Sequence, residues 1–242
     1  MSETDSQAPD ARAGELARNL ATVRARIAAA CAAAGREPDE VSLIAVTKTY
    51  PASDVIRLYQ AGVCEFGENR DQEAAAKAAE VGSGLPGLTW HFIGQLQTNK
   101  ARSVVSYADV VQSVDRVKLV YALDDAARRA DRSPLCLVQV NLDPDAAGRG
   151  GAEPSEVERV ADAVAESAAL RLGGLMAVAP LGANPGAAFE RLAEIAAKVR
   201  GAHAGAVSLS AGMSGDLEAA VAAGATHVRI GSALLGARPP LR

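Results

Sequence analysis

Along the chain, short apolar runs bounded by glycine or proline alternate with longer stretches in which apolar residues recur every three or four positions. The first pattern predicts buried β-strands and the second amphipathic helices. From Gly14 to Ala34 the residues Leu16, Leu20, Val23, Ile27 and Cys31 keep helical spacing and Gly35 ends it, so a helix precedes the first strand. That strand is Leu43-Ile44-Ala45-Val46, inside the segment SLIAVTKTYP from Ser42 to Pro51. Lys48 stands at its C-terminal end. Pro51 and Ser53 then open a helix carrying Val55, Ile56 and Tyr59, closed by Gly62.

The same alternation continues to the end of the sequence. Further strands are predicted over Val63–Phe66, Thr89–Ile93, Asp109–Ser113, Leu135–Val140, Arg171–Val178, Ala206–Leu209 and Thr226–Ile230. The intervening helices are predicted over Glu68–Glu80, Thr98–Val105, Arg116–Ala130, Pro154–Ala168, Pro185–Arg200 and Ser214–Ala222. Glycine-rich loops lie at Gly82–Leu88 and Asp143–Gly151; the latter is expected to be a mobile connection, with closure over the mouth as the alternative. Eight strands alternating with helices in 242 residues predict an α/β fold, a single (β/α)₈ TIM barrel with an extra N-terminal helix. An open doubly wound sheet is the competing architecture, but no Gly-x-Gly-x-x-Gly follows the first strand.

Composition narrows the function classes. Apolar residues make up 49% of the chain, ample for one core, while aromatics are only 3% and the net charge is −4. Stacking platforms and a basic face for nucleic acid are therefore not expected. No long apolar run suggests a membrane span. The start, MSETDSQAPD, is polar and acidic, so residues 1–12 are expected to be a disordered tail and residues 13–242 the barrel. Cys31, Cys64 and Cys136 show no zinc or redox spacing and read as small buried or half-buried residues in a reducing, cytoplasmic setting. His91, His203 and His227 are equally scattered.

Candidate chemistry gathers at the predicted C-terminal strand ends, where barrels carry their sites. Leu209-Ser210-Ala211-Gly212-Met213-Ser214-Gly215 and Arg229-Ile230-Gly231-Ser232 follow strands seven and eight, the place where barrels hold phosphates. Singly, Ser214 reads as a helix cap and the glycines as turns; together, on adjacent strands, the two segments point to a phosphate cup. Asp216 and Glu218 fit such a cup only if they point away from it. Lys48, on the neighbouring strand, is either a solvated charge or an amine for a phosphorylated aldehyde, with pyridoxal 5′-phosphate (PLP) the obvious candidate. Arg229 would then face the pyridine nitrogen and, always protonated, keep it neutral and a poor electron sink. Pairing with Asp216 or extension into solvent are the alternatives for Arg229. His91 reads as a core or rim histidine, Met176 and Met213 as packing, and Lys100 and Arg102 as a solvated helix face.

AVTKTYP around Lys48, FGEN at Phe66–Asn69, WHFIGQLQTNK at Trp90–Lys100, GLMAVAP at Gly174–Pro180 and LSAGMSGDLEAAVAAGATHVRIGSALLGAR at Leu209–Arg238 closely resemble the YggS/PROSC family of pyridoxal-phosphate homeostasis proteins. The resemblance implies a barrel like the N-terminal domain of alanine racemase, with PLP held as a Schiff base on Lys48. It implies that Ser214, Gly231 and Ser232 hold the phosphate, that Arg229 faces the ring nitrogen and that Asn69 lies by the ring. Gly215 departs from a frequent Asp, Arg70 from an aromatic, and Ser232 from a threonine, keeping the hydroxyl.

The function implied is a carrier without robust catalytic turnover that stores PLP and releases it to PLP-dependent apoenzymes, expected as a monomer because no dimer-building domain is expected. A PLP-dependent racemase is the alternative. It needs a second acid/base, which the racemases of this barrel take as a tyrosine from an added β-domain. The sequence runs about ten residues beyond strand eight, so that domain is expected to be lacking, and among Tyr50, Tyr59, Tyr107 and Tyr121 only Tyr50 lies near a C-terminal strand end. A Schiff-base aldolase with an empty lysine is a third reading, and it would be colourless.

Overall fold

Eight parallel strands close on themselves in chain order, β1 pairing with both β2 and β8. They are β1 (Ser42–Val46), β2 (Glu65–Glu68), β3 (Thr89–Phe92), β4 (Val110–Val114), β5 (Leu135–Gln139), β6 (Arg171–Met176), β7 (Ser208–Ser210) and β8 (His227–Ile230). The computed structural model describes residues 10–143 and 150–236. The expected tail, as far as residue 9, and residues 144–149 of the 143–151 loop lie outside the described residues.

Helix α1 (Ala11–Ala33) comes first; Asp10 caps it by accepting from the N–H groups of Arg12 and Ala13. Helices α2 (Ala52–Gln60), α3 (Asp71–Val81), α4 (Ala101–Tyr107), α5 (Val117–Ala130), α6 (Val157–Ala165), α7 (Pro185–Ala202), α8 (Leu217–Ala222) and α9 (Ser232–Leu235) follow their strands around the outside. The predicted α/β barrel with an extra N-terminal helix is therefore the fold. Its boundaries differ in ways that matter at the site. Glu68 ends β2 instead of starting a helix, and α8 starts at Leu217 instead of Ser214. Two further elements were not expected, a 3₁₀ turn at Pro38–Glu40 and the short α9.

Alternate strand residues face alternate sides of the wall. Ala45, Phe66, Val111, Cys136, Val138, Leu175, Val228 and Ile230 are buried against the helices. Inside the barrel, Val110, Leu137 and Met176 form a small separate apolar cluster. Helix α1 buries Leu16, Leu20, Val23 and Ile27. At about 1.5–3 kcal/mol for each such side chain, α1 is an integral part of the fold. It also reaches the loops after β7 and β8: Arg26 Nη1 donates to Ser214 O at 2.6 Å, Asn19 Nδ2 to Leu234 O at 3.0 Å, and Arg12 Nη2 to Leu235 O at 3.0 Å.

Cys31 and Cys136 are buried, and burial pushes the Cys136 thiol up to about 12. Cys64 is exposed, contrary to expectation, because it lies in the turn before β2 and not in the strand itself. No helix among the described residues is long and apolar enough to cross a membrane, and no group of three or more His, Cys, Asp or Glu there could hold a metal ion.

Candidate functional site

Lys48 lies two residues beyond the end of β1, half-buried, in a tight turn closed by the N–H of Tyr50 on the carbonyl of Thr47 at 3.1 Å. Thr49 occupies the third position of that turn at φ 71°, a left-handed conformation costly for a β-branched residue. A buried polar cluster beneath the turn holds it. Lys77 Nζ, from α3, donates to Thr47 O at 2.7 Å and Glu68 Oε1 at 2.5 Å; Thr47 Oγ1 donates to the same Glu68 oxygen at 2.7 Å. Glu73, one helical turn before Lys77, accepts the backbone N–H of Thr49. Residues on both sides of Lys48 are thus fixed from α3. Burial pushes the Glu68 carboxyl above its ordinary range, against the pull of Lys77 and Thr47.

Across the neighbouring strand, Ala45 is in register with Ile230, which places Gly231 beside Val46; an added Cβ there would lie 3.5 Å from Val46 O. Ser232 follows, exposed, at the start of α9. On β7 the exit loop passes Gly212, at φ 91°, whose carbonyl accepts the N–H of Arg229 at 2.9 Å. A Cβ at Gly212 would meet that of Ala220 at 2.6 Å, so the loop can lie this close to α8 only with glycine. Ser214, half-buried, sits in the turn ahead of α8 and does not cap it. Of the two acidic residues beside it, Glu218 pairs with Arg26 at 2.5 Å, while Asp216 folds back to accept the N–H of Met213 at 2.5 Å.

Asn69 follows β2, half-buried. Its backbone is pressed against Gly94, where a Cβ would sit 2.0 Å from Asn69 O. The FGEN and FIGQ segments therefore depend on each other. Lys48, Asn69, Ser214, Gly231 and Ser232 all lie at the C-terminal ends of the contiguous strands β7, β8, β1 and β2, around one mouth.

Arg229 points into the barrel from β8 and is 4% exposed, so it neither extends into solvent nor makes an ion pair with Asp216. Its Nη1 donates to Ser210 Oγ and its Nη2 to Ala177 O, each at 2.8 Å. Burial lowers it to about 10, which leaves it charged at neutral pH. A guanidinium carries five N–H donors, and the described residues take two, so a further acceptor fits here. Ser210 donates on to Gln112 Oε1 at 2.8 Å, and Gln112 Nε2 meets His91 Nδ1 at 2.9 Å. His91 Nε2 lies 3.3 Å and His227 Nε2 3.9 Å from Glu65 Oε2, towards the opposite end of the barrel.

Sequence reading missed Glu68, Lys77, Gln112 and Ser210. One signal was present: Lys77 is the one lysine in the segment 71–81, four residues after Glu73 and nine after Glu68. His91 is a buried histidine as expected, and Met176 packs inside the barrel, whereas Met213 is 40% exposed. Lys100 contacts Asp71 at 3.6 Å and Arg102 is exposed. Of the tyrosines, Tyr50 is buried with its hydroxyl on Gly236 O at 2.8 Å, and Tyr121 is exposed. An amine on a fixed turn, a ring of small residues with hydroxyls, and a buried guanidinium with donors to spare suit an anionic aromatic aldehyde.

The family model for the alanine racemase N-terminal domain matches residues 16–239. A pyridoxal phosphate homeostasis protein of Mycobacterium tuberculosis (strain ATCC 25618 / H37Rv) is 44% identical over 248 residues, covering 95% of both chains. Its counterpart in Escherichia coli (strain K12) is 42% identical over 233 residues, covering 93% of this chain and 97% of that one. Among solved structures, PipY of Synechococcus elongatus PCC7942 with PLP bound superposes with a TM-score of 0.80 at 38% identity, over 91% of this chain and all 100% of that one. Alanine racemase of Streptomyces coelicolor A3(2), at 23% identity and a TM-score of 0.74, shares the fold over 94% of this chain and 59% of its own length.

Proposed function

Since the chain belongs to the family of pyridoxal phosphate homeostasis proteins built on the alanine racemase N-terminal domain, we propose that it binds PLP reversibly at the barrel mouth and supplies it to other proteins. Lys48 provides the amine that captures the cofactor's aldehyde with loss of water. Ser214, Gly231 and Ser232 hold the phosphate, Asn69 lies beside the ring, and Arg229 meets the ring nitrogen. Bound PLP supplies an electrophilic aldehyde and a conjugated ring. Arg229, a donor at neutral pH, keeps the ring nitrogen unprotonated and so restrains carbanion chemistry.

The observation that carries this reading is the register of Ala45 with Ile230, which puts the Lys48 turn and the Gly231–Ser232 turn side by side. A storage role is favoured over racemisation because the hydroxyl of Tyr50, the tyrosine nearest the mouth, is buried on the Gly236 carbonyl. The proposal extends to residues 13–242 acting as one PLP-binding domain, as a monomer in the cytoplasm, with PLP-dependent apoenzymes as recipients. The test is the absorption spectrum of the isolated protein before and after borohydride. A yellow protein whose cofactor becomes fixed to Lys48, with colour lost in Lys48→Ala and negligible alanine turnover, is expected. A protein that stays colourless with added PLP would refute the proposal, and robust racemisation would replace it with the enzyme reading.

A further inference from the structure

We infer that Gln112 and Ser210 are positioning residues for Arg229, fixing which way its guanidinium faces; the inference rests on the reading that the mouth binds PLP. An arginine side chain has many rotamers, and no carboxylate among the described residues forms an ion pair with this one. Apart from Ala177 O, its anchor is Ser210 Oγ. A serine hydroxyl is a rotor that can either donate or accept. Here Gln112 Oε1 takes the hydroxyl proton, so the serine's lone pairs are left for Arg229 Nη1.

The orientation of the Gln112 amide is itself determined. Ser210 donates to its oxygen at 2.8 Å, which leaves its Nε2 facing His91 Nδ1 at 2.9 Å, where Nδ1 accepts when the imidazole proton sits on Nε2. Gln112 must then present its NH₂ to His91 and its oxygen to Ser210. The steps therefore donate in one sense, from Arg229 through Ser210 to Gln112 and from Gln112 to His91. Gln112 and Ser210 are both 0% exposed, beside the apolar cluster of Val110, Leu137 and Met176. A leucine at 112 would fill that space without the desolvation cost of an amide, so the polar side chain has its use in what it holds.

The experiment compares PLP binding and the spectrum of bound cofactor in wild type, Gln112→Leu, Ser210→Ala, Ser210→Thr and Val111→Ala. Val111 neighbours Gln112 on β4 but faces the helices. Gln112→Leu and Ser210→Ala are each expected to weaken PLP binding roughly tenfold. They should also shift the visible band and make it vary with pH, because a mobile guanidinium no longer keeps the ring nitrogen unprotonated. Ser210→Thr keeps the hydroxyl and should retain both properties. Val111→Ala should lower the melting temperature and leave the spectrum alone, separating loss of packing from loss of orientation. If Gln112→Leu does not fold, the Ser210→Ala and Ser210→Thr pair carries the test. Wild-type affinity and spectrum in either Gln112→Leu or Ser210→Ala would overturn the inference. If wild type itself takes up no PLP, the functional reading fails first and this inference falls with it.

Discussion

Lys77 Nζ donates to the carbonyl of Thr47 at 2.7 Å, one residue before Lys48, while sharing Glu68 Oε1 with the Thr47 hydroxyl. A buried lysine thus sets the backbone that presents a second, half-buried one. Removing it with Lys77→Met leaves the Glu68 carboxylate, 0% exposed, without its cation, and breaking a buried pair in this way costs about 3–5 kcal/mol. Lys77→Met is expected to lose that much in chemical denaturation. The double variant Lys77→Met/Glu68→Leu should recover most of the stability, since no unpaired charge remains. It should not recover PLP retention, because Thr47 O is still unheld. Equal losses in the single and double variants would show that the pair does not act as a unit.

Gly94 and Gly215 make opposite predictions. A Cβ at Gly94 would overlap the backbone of Asn69, with 2.0 Å to its oxygen and 2.8 Å to its Cα, and backbone cannot swing aside. Gly94→Ala should therefore cost about 3 kcal/mol or more and displace Asn69 from the mouth. Nothing lies within 4 Å of a Cβ at Gly215. Gly215→Asp should change stability by less than about 0.5 kcal/mol, and matched thermal melts of the two variants check both statements.

These contrasts also show what a single sequence makes legible. The alternation of strands and helices was readable because apolar runs of both kinds bury the same faces in every unit, and the strand-end residues around the mouth followed from it. The cluster under Lys48 was not readable. Glu68, Glu73 and Lys77 look like an ordinary solvated helix face when α3 is started three residues too early, at Glu68 instead of Asp71. The shift places Glu68 in a strand, on the face it shares with Phe66 towards the helices, and only then does Lys77 have a buried partner. Gln112 and Ser210 were hidden for a different reason. Gln112 sits inside a strand read as apolar wall, Ser210 was read only as part of the segment leaving strand seven, and the bond that joins them connects residues far apart in sequence.

The added helix α1 has its own test. Arg26 holds the carbonyl of Ser214 at 2.6 Å and the Glu218 carboxylate at 2.5 Å. Its ion pair is largely solvent-exposed, so Arg26→Ala should reduce stability by well under about 1 kcal/mol. The Ser214 turn loses its anchor, however, and affinity for PLP should fall several-fold while affinity for pyridoxal, which lacks the phosphate, stays the same. Equilibrium titration of the two ligands separates these outcomes. A parallel drop for both would argue that α1 steadies the whole barrel instead of the phosphate turn.

Acid stability follows from the lower end of the barrel. Burial is the main cause lowering His227 below the ordinary 6.5, reinforced by His91 and Arg229 and opposed by Glu65. The unfolded chain therefore takes up a proton near pH 6.5 that the folded chain refuses, and folding weakens as pH drops below that value. For Glu65, burial works to raise the carboxyl, but His91, His227 and Ser42 together hold it below the ordinary 4.5. Its stabilisation is complete above pH 4.5 and is lost as pH falls further, in the same direction as for His227. The melting temperature of wild type is thus expected to fall in two stages on acidification, the first starting near pH 6.5 and the second below 4.5. His227→Gln removes the titrating ring and should abolish the first stage while keeping the second. A first stage of unchanged size in His227→Gln would assign it to another group.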